Sequence, residues 1–393
     1  MLDITGDWNS GLRIMITVRS ASFLLLCVTL HLPLSGADSG QRDRLTAADA
    51  TVVDKLVEGF RRQYEVPALS IAIAREGRLV FAKGYGHADA AGRTAVTPEH
   101  LFRVASVSKP ITSIAVMRLV ELGRLTLDQK VFGKGAILGT KYGKPPYRGR
   151  IESITVEHLL THTAGGWGNQ TNDPMFRRFD LGHVELIGWV LDAYELNSVP
   201  GDRYSYSNFG YCVLGRVIEM VYGKQYEQAV TELMLDSAGV HDMHVGASDL
   251  RGRRANEVIY VQGSDFPYRM GVSRMDAHGG WIASPTDLLR LVVRIDGFDT
   301  VPDLLRPETI KLMMTPSKAN PHYAKGWSIN SANNWWHMGS MPGTGAVLVR
   351  AQNGYCWAVL ANHRAKGDYG RDLDRLTWRI LSSVKRWPTG QPL

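Results

Sequence analysis

The chain has 393 residues, 44% hydrophobic and 21% charged, which is long enough to bury a sizeable core and too apolar for a disordered segment. Its 45 Lys and Arg against 38 Asp and Glu leave a net charge of +7. The basic residues form no dense run beyond Arg251-Gly252-Arg253-Arg254 and no stripe interleaved with aromatics, which argues against a nucleic-acid partner and for a solvated surface.

The first pattern along the chain reads as a targeting signal. Arg13 and Arg19 precede an apolar run from Phe23 to Leu30, followed by Leu32-Pro33-Leu34-Ser35-Gly36-Ala37. Basic flank, short apolar stretch and small residues, in that order, predict a secretory signal peptide over residues 1–37 with cleavage after Ala37. A periplasmic or secreted protein is therefore expected. The run is too short for a membrane span, so no stable membrane insertion is expected after cleavage. Met15 is as sensible a start as Met1. Leu26, ahead of Cys27, is not the small residue of a lipoprotein cleavage site, so no lipid anchor is expected. Cys212 and Cys356 would survive cleavage, both in apolar surroundings. They are expected to be free and buried, although an oxidising compartment would allow them to pair.

Residues 47–64 read as an amphipathic helix with Val53, Leu56, Val57 and Phe60 on one face. Residues 68–74 and 79–82 read as strands joined by a Glu76-Gly77 turn. An apolar helix runs from about Ser106 to Leu122 and is closed by Gly123. From about residue 125 the helices are shorter and the loops richer in Gly, Pro, Asn and Asp. One helix is capped by Thr155 and another follows Asn208. Residues 285–295 and 307–314 are helical. Strands follow at 327–329, 345–349 and 356–360, and a final helix spans about 368–384. The pattern predicts an α+β fold with one antiparallel sheet flanked by helices, built from residues 38–124 and 285–393. A mostly helical lobe is inserted over residues 125–284, and a site is expected in the cleft between the two.

Three short patterns carry chemistry. Ser106-Val107-Ser108-Lys109 is Ser-x-x-Lys, a pattern that a chain of this length contains about once or twice by chance. Ser382-Ser383-Val384-Lys385 is such a decoy, at the end of a helix. Ser106 instead stands where a loop enters an apolar helix, and one turn later Lys109 lies on the same face. A lysine that is partly desolvated can lose its proton and take one from a serine. Alternatively, Ser106 is a helix cap and Lys109 a solvated side chain. In the turn-rich stretch 200–211, Tyr206 and Asn208 stand two apart and in extended backbone share a side. A phenol near a lysine can exchange protons with the serine and the leaving group, and a carboxamide can orient the lysine and bond a substrate carbonyl. Alternatively, Tyr206 is an ordinary loop aromatic and Asn208 the cap of the next helix. In the third pattern, Trp335-Trp336-His337-Met338-Gly339-Ser340, a strand edge opens into a Gly/Pro loop. Gly339 permits a close approach, and the Ser340 N–H with that of Ser106 would form an oxyanion hole. His337 would contact a substrate carboxylate or leaving group, or else simply pack.

In this order, Ser-x-x-Lys, Tyr-x-Asn and His-x-Gly resemble the three motifs of class C β-lactamases and their relatives, which include DD-peptidases, D-amino-acid-specific peptidases and family VIII carboxylesterases. The stretches 154–166 and 279–288 resemble the family's helix before the active-site loop and its return to the main lobe. The resemblance covers about residues 50–385. It implies acylation of Ser106, proton work shared by Lys109 and Tyr206, substrate contacts from Asn208, His337, Gly339 and Ser340, and no metal or organic cofactor.

His337 stands where a β-lactamase of this class carries lysine, which removes a fixed cation for a substrate carboxylate. The expected activity is therefore hydrolysis of small esters, amides or D-amino-acid peptides through an acyl-enzyme. The alternatives are a β-lactamase or DD-carboxypeptidase, and a non-catalytic cell-wall-peptide-binding or penicillin-sensing protein. His158 and His162, four apart, have zinc-ligand spacing but no accompanying HExxH, and the absence of Gly-x-Ser-x-Gly argues against an α/β-hydrolase. The loops 168–178 and 256–274 are expected to shape substrate choice.

Overall fold

The computed structural model describes residues 44–261 and 266–393; the expected signal peptide lies outside them, as does part of the 256–274 loop. In chain order the elements that build and position the site are helix Ala47–Tyr64 (α1), strands Ala68–Arg75 (β1), Arg78–Gly86 (β2) and Phe102–Arg103 (β3), and helices Ser108–Glu121 (α2), Val156–Leu160 (α3) and Asn208–Tyr222 (α4). Then come His244–Val245 (β4), Trp281–Ala283 (β5), helix Pro285–Val292 (α5), Ser328–Ile329 (β6), Trp335–Met341 (β7), Thr344–Arg350 (β8), Tyr355–Ala361 (β9), helix Tyr369–Ser383 (α6) and Gln391–Pro392 (β10).

The main sheet has seven strands in the order β10-β2-β1-β9-β8-β7-β6, with every neighbouring pair antiparallel. Its local turns follow from the sequence. Glu76 and Gly77 both take left-handed backbone, φ 51° and 70°, and fold β2 back on β1. Both faces are covered. Ile71 and Ile73 of β1, with Val347, Trp357 and Val359, point to the face where Val53, Val57 and Phe60 of α1 meet Leu373, Leu376 and Ile380 of α6. Ala72 and Ala74 point to the opposite face, toward Leu288, Leu289 and Val292 of α5. The larger residues thus face one pair of helices, and alanine on the other side leaves room for α5. The first and last helices share one face, as expected of a helix-flanked antiparallel sheet.

Helix α2 is buried almost all round, so its polar residues need internal partners. Thr112 Oγ1 meets Tyr226 OH at 2.6 Å and donates to Ala277 O at 2.5 Å, and Ser113 donates to Lys325 O at 2.6 Å. A second, three-stranded sheet, β3-β5-β4, pairs Phe102 with Ala283 and Arg103 with Ile282. It fastens the approach to Ser106 beside the 276–283 segment.

Three details differ from the sequence-based expectation. The helix expected to start at Ser106 opens as a 3₁₀ turn, Ala105–Val107, with the α-helix beginning at Ser108. The cap of α4 is Ser207, whose side chain accepts from Gly210 N, and not Asn208. Residues 335–341 form a complete strand, not only a strand edge. Cys212 and Cys356 are both buried and unpaired. Among the described residues no helix is long and apolar enough to cross a membrane.

Candidate active site

The turn that carries Ser106 is held in an unusual conformation. Ala105 has φ 48°, a left-handed backbone that costs a non-glycine residue roughly 1–3 kcal/mol and persists because its surroundings fix it. Those surroundings are strand β7. A Cβ on Gly339 would run into the Val104 carbonyl oxygen, so glycine there lets β7 lie directly against the serine turn. The close approach expected of Gly339 is thus an approach to the protein's own backbone. Around this turn Val104, Ala105 and Val107 are buried, while Ser106 is half-exposed to a cleft that Ser340 also lines.

Lys109 is fully buried and has three polar contacts: Asn208 Oδ1 at 2.7 Å, His278 O at 2.9 Å and Ser106 Oγ at 3.1 Å. Burial lowers its proton affinity from the usual lysine value to about 7, and the Asp173 carboxylate pulls it partly back. Two of the three partners are carbonyl oxygens that can only accept. A neutral Lys109 amine has two N–H donors for those carbonyls and one lone pair left for the third partner, the Ser106 hydroxyl.

Tyr206 is half-buried, with its phenol also within hydrogen-bond reach of Ser106. Burial raises its proton affinity above that of a free phenol, opposed by the Ser106 hydrogen bond. It therefore stays protonated where Lys109 does not. Lys109 Nζ lies 4.7 Å from the centre of the Tyr206 ring.

Asn208 uses its amide on the protein itself. Oδ1 accepts from Lys109, and Nδ2 donates to Asp173 Oδ2 at 2.7 Å and to Asn169 Oδ1 at 3.2 Å. The expected orientation of Lys109 by Asn208 is present. Its two N–H groups are engaged, so in this conformation the substrate contact expected from the side chain is not offered. Asp173 was not among the residues singled out by sequence. It is buried, accepts a second bond from Met175 N at 3.0 Å, and fixes which end of the Asn208 amide faces Lys109.

His337 also turns inward. Its Nδ1 faces the Met338 carbonyl at 2.8 Å and so carries the hydrogen, leaving Nε2 to accept from Tyr323 OH at 3.1 Å. Burial and then the Lys109 charge lower its proton affinity to about 3. The expected contact with a substrate carboxylate or leaving group is therefore replaced by packing against Tyr206 and Tyr323, with ring centres 6.2 and 5.9 Å away. Tyr323, like Asp173, carries no sequence signal. His162 lies beyond the end of α3 and joins the same aromatic group, 4.3 Å from Tyr206, while the His158 side chain folds back on Thr155 N to complete a capping box. The two histidines with zinc-ligand spacing thus have separate structural tasks. Among the described residues no three His, Cys, Asp or Glu lie close enough to hold a metal ion.

Ser340 is placed by the Pro342-Gly343 turn. Met341 and Thr344 flank that turn, so antiparallel alternation directs the Ser340 N–H away from β8. On that other side β6 reaches only Trp335 and Trp336, so this end of β7 is a sheet edge.

A helix-flanked antiparallel sheet thus carries a buried lysine bonded to a half-exposed serine one turn earlier. The chain belongs to the beta-lactamase family, whose model matches residues 53–382. Protein flp of Staphylococcus aureus (strain N315) is 25% identical over 327 residues, which cover 81% of this chain and 64% of that protein. The chain thus matches less than two thirds of that relative's length. Esterase EstB of Burkholderia gladioli is 31% identical over 200 residues, 47% of this chain and 48% of the esterase. An octameric penicillin-binding protein homologue from Pyrococcus abyssi superposes with a TM-score of 0.68 at 24% identity, covering 86% of this chain and 79% of that one. D-amino acid amidase from Ochrobactrum anthropi SV3, complexed with L-phenylalanine amide, gives 0.69 at 20% identity, covering 86% and 99%. At these identities the two structures show a shared fold.

Proposed function

We propose that the chain hydrolyses small esters, amides or D-amino-acid peptides through an acyl-enzyme on Ser106. The observation that carries this is Lys109: buried, with its Nζ 3.1 Å from Ser106 Oγ and its proton affinity lowered to near neutrality by burial. Neutral Lys109 takes the hydroxyl proton as Oγ attacks the carbonyl carbon. The N–H groups of Ser106 and Ser340 receive the oxyanion. The leaving group departs with a proton from Tyr206, which recovers one from Lys109. Water then attacks the acyl-serine, with the same two residues moving its proton in reverse. The class is supported by the family and by the named esterase and amidase relatives.

A β-lactamase or DD-carboxypeptidase is the second reading, favoured by Arg364, the one cation among the described residues lining the cleft. The neutral His337 counts against it, since it supplies no cation at the third motif. We also infer export to the periplasm or the medium, which fractionation of cells expressing the chain with and without residues 1–37 would test.

Intact-mass spectrometry decides the central step. The protein and Ser106→Ala are each incubated with a fluorophosphonate, with a penicillin and with p-nitrophenyl butyrate. One fluorophosphonate adduct that the variant lacks, together with ester turnover and slow penicillin loss, is expected. Fast penicillin turnover would favour the second reading. A folded wild type that forms no adduct would refute the acyl-enzyme and leave a peptide-binding protein.

A further inference from the structure

The cleft beside Ser106 encloses about 390 Å³, within the range of small-molecule sites. Its wall is strongly apolar. Phe176, Phe179, Met270, Met275, Met341 and Pro342 contribute, and Phe176 and Phe179, 37% and 46% exposed, form with them a contiguous apolar surface at the cleft. Two phenylalanines left in water beside a candidate nucleophile are explained by an apolar ligand that covers them.

The loop that presents them is held in place. The Arg274 guanidinium donates to the carbonyl oxygens of Met175, Arg178 and Leu181, and it lies 5.5 Å from the centre of the Phe179 ring. One side chain thus fastens both ends of the segment carrying the two rings, and the rings themselves stand 6.4 Å apart. An apolar wall fixed before the ligand arrives loses little freedom on binding.

Arg364 is the one charged side chain among the described residues lining the cleft, and none of those residues is a carboxylate. Arg274 stacks on the cleft wall. Asp173 sits behind Asn208 and is occupied by the Asn208 and Met175 N–H groups. Burial and neighbouring cations hold the His278 ring, also in the wall, neutral. No carboxylate described in this wall would form an ion pair with an ammonium.

We propose that the substrate presents an apolar, uncharged group, aryl or alkyl, to the Phe176–Phe179 wall, and that substrates with a free ammonium beside the scissile carbonyl are poorly used. This rests on the acyl-enzyme assignment and separates the chain from enzymes that act on unblocked amino-acid amides.

The test uses the whole protein and two series. The first varies the acyl group of p-nitrophenyl esters from acetate to hexanoate, and the second varies the alcohol of acetates from methyl to benzyl. In at least one series kcat/KM is expected to rise roughly fourfold per added methylene, the transfer free energy of one methylene. Methyl 3-phenylpropanoate is expected to exceed both D- and L-phenylalanine methyl ester, which add only the ammonium, by tenfold or more. The F176A/F179A double variant is expected to flatten the slope. Flat series on both sides, or phenylalanine esters used as well as the phenylpropanoate, would overturn the proposal. Fluorophosphonate labelling of the same samples separates the cases: label without slope refutes this inference alone, and no label refutes the acyl-enzyme beneath it.

Discussion

Replacing Asp173 with asparagine tests whether Lys109 is the group that must lose its proton. Asparagine keeps an oxygen that can accept from Asn208 Nδ2, so the amide orientation survives while the charge disappears. Two bonds of 2.7 Å and the width of the carboxamide between them put the Asp173 carboxylate about 7 Å from Lys109 Nζ. At an effective dielectric constant of about 20 that separation corresponds to roughly 2 kcal/mol, or on the order of one to two pH units. The sign is fixed. The carboxylate favours the lysine ammonium, so removing it lowers Lys109's proton affinity and makes the neutral amine available at lower pH. The other groups facing Lys109 do not compete. His162, His278 and His337 are all held well below the usual histidine range, and the Tyr206 and Tyr211 phenols stay protonated above neutrality. The assay is the pH profile of kcat/KM for a neutral ester, whose acid limb reports the free enzyme. In the wild type the limb is expected near pH 7, and in D173N it moves toward acid. An unmoved limb, or one that moves toward alkali while circular dichroism is unchanged, would refute Lys109 as the proton acceptor under the control of Asp173.

Tyr206→Phe removes the phenol proton but keeps the ring. If that proton reaches the leaving group, single-turnover acylation is expected to slow by about a hundredfold or more, with melting temperature little changed. Gly339→Ala is expected to be far more damaging than an ordinary surface glycine change, since its methyl group meets the Val104 carbonyl. Lower thermal stability and loss of fluorophosphonate labelling in parallel are the expected outcome. Tyr323→Phe leaves His337 Nε2 without its donor and is expected to cost about 1–3 kcal/mol in denaturant unfolding. A variant as stable as the wild type would show that this hydrogen bond does not hold His337 in place.

Much of this arrangement was legible in the sequence because it is local. Val53, Val57 and Phe60 recur at helical spacing, Glu76-Gly77 marks a turn, and Ser106 and Lys109 are one turn apart. The rest depends on groups far apart in the chain. Asp173 is an unremarkable loop aspartate until α4 brings Asn208 against it, and the His278 carbonyl reaches Lys109 only because β3 pairs with β5. Backbone carbonyls leave no trace in residue identity. His337 shows a different limit: its sequence position left a substrate contact and simple packing both open, and the orientation of the ring depends on Tyr323 and Met338 O, which hold it inward. Asn208 is a good capping residue and reads as the cap from sequence, but Ser207 before it caps as well and is the one whose side chain accepts from Gly210 N.

The strands at the two margins of the main sheet, β6 and β10, are each two residues long, and β10 ends in a proline that has no N–H to donate. The broad central strands, rich in valine, isoleucine and alanine, would be an effective template for another chain if they stood at a margin. Here each margin carries a stub, β10 over Arg78 and Leu79 of β2 and β6 over Trp335 and Trp336 of β7, and among the described residues the rest of those two strands has no strand beside it on the outer side. Addition of a further strand is thus hindered only where those stubs lie, and the uncovered end of β7, beside Ser340, keeps backbone groups free to bond an extended ligand.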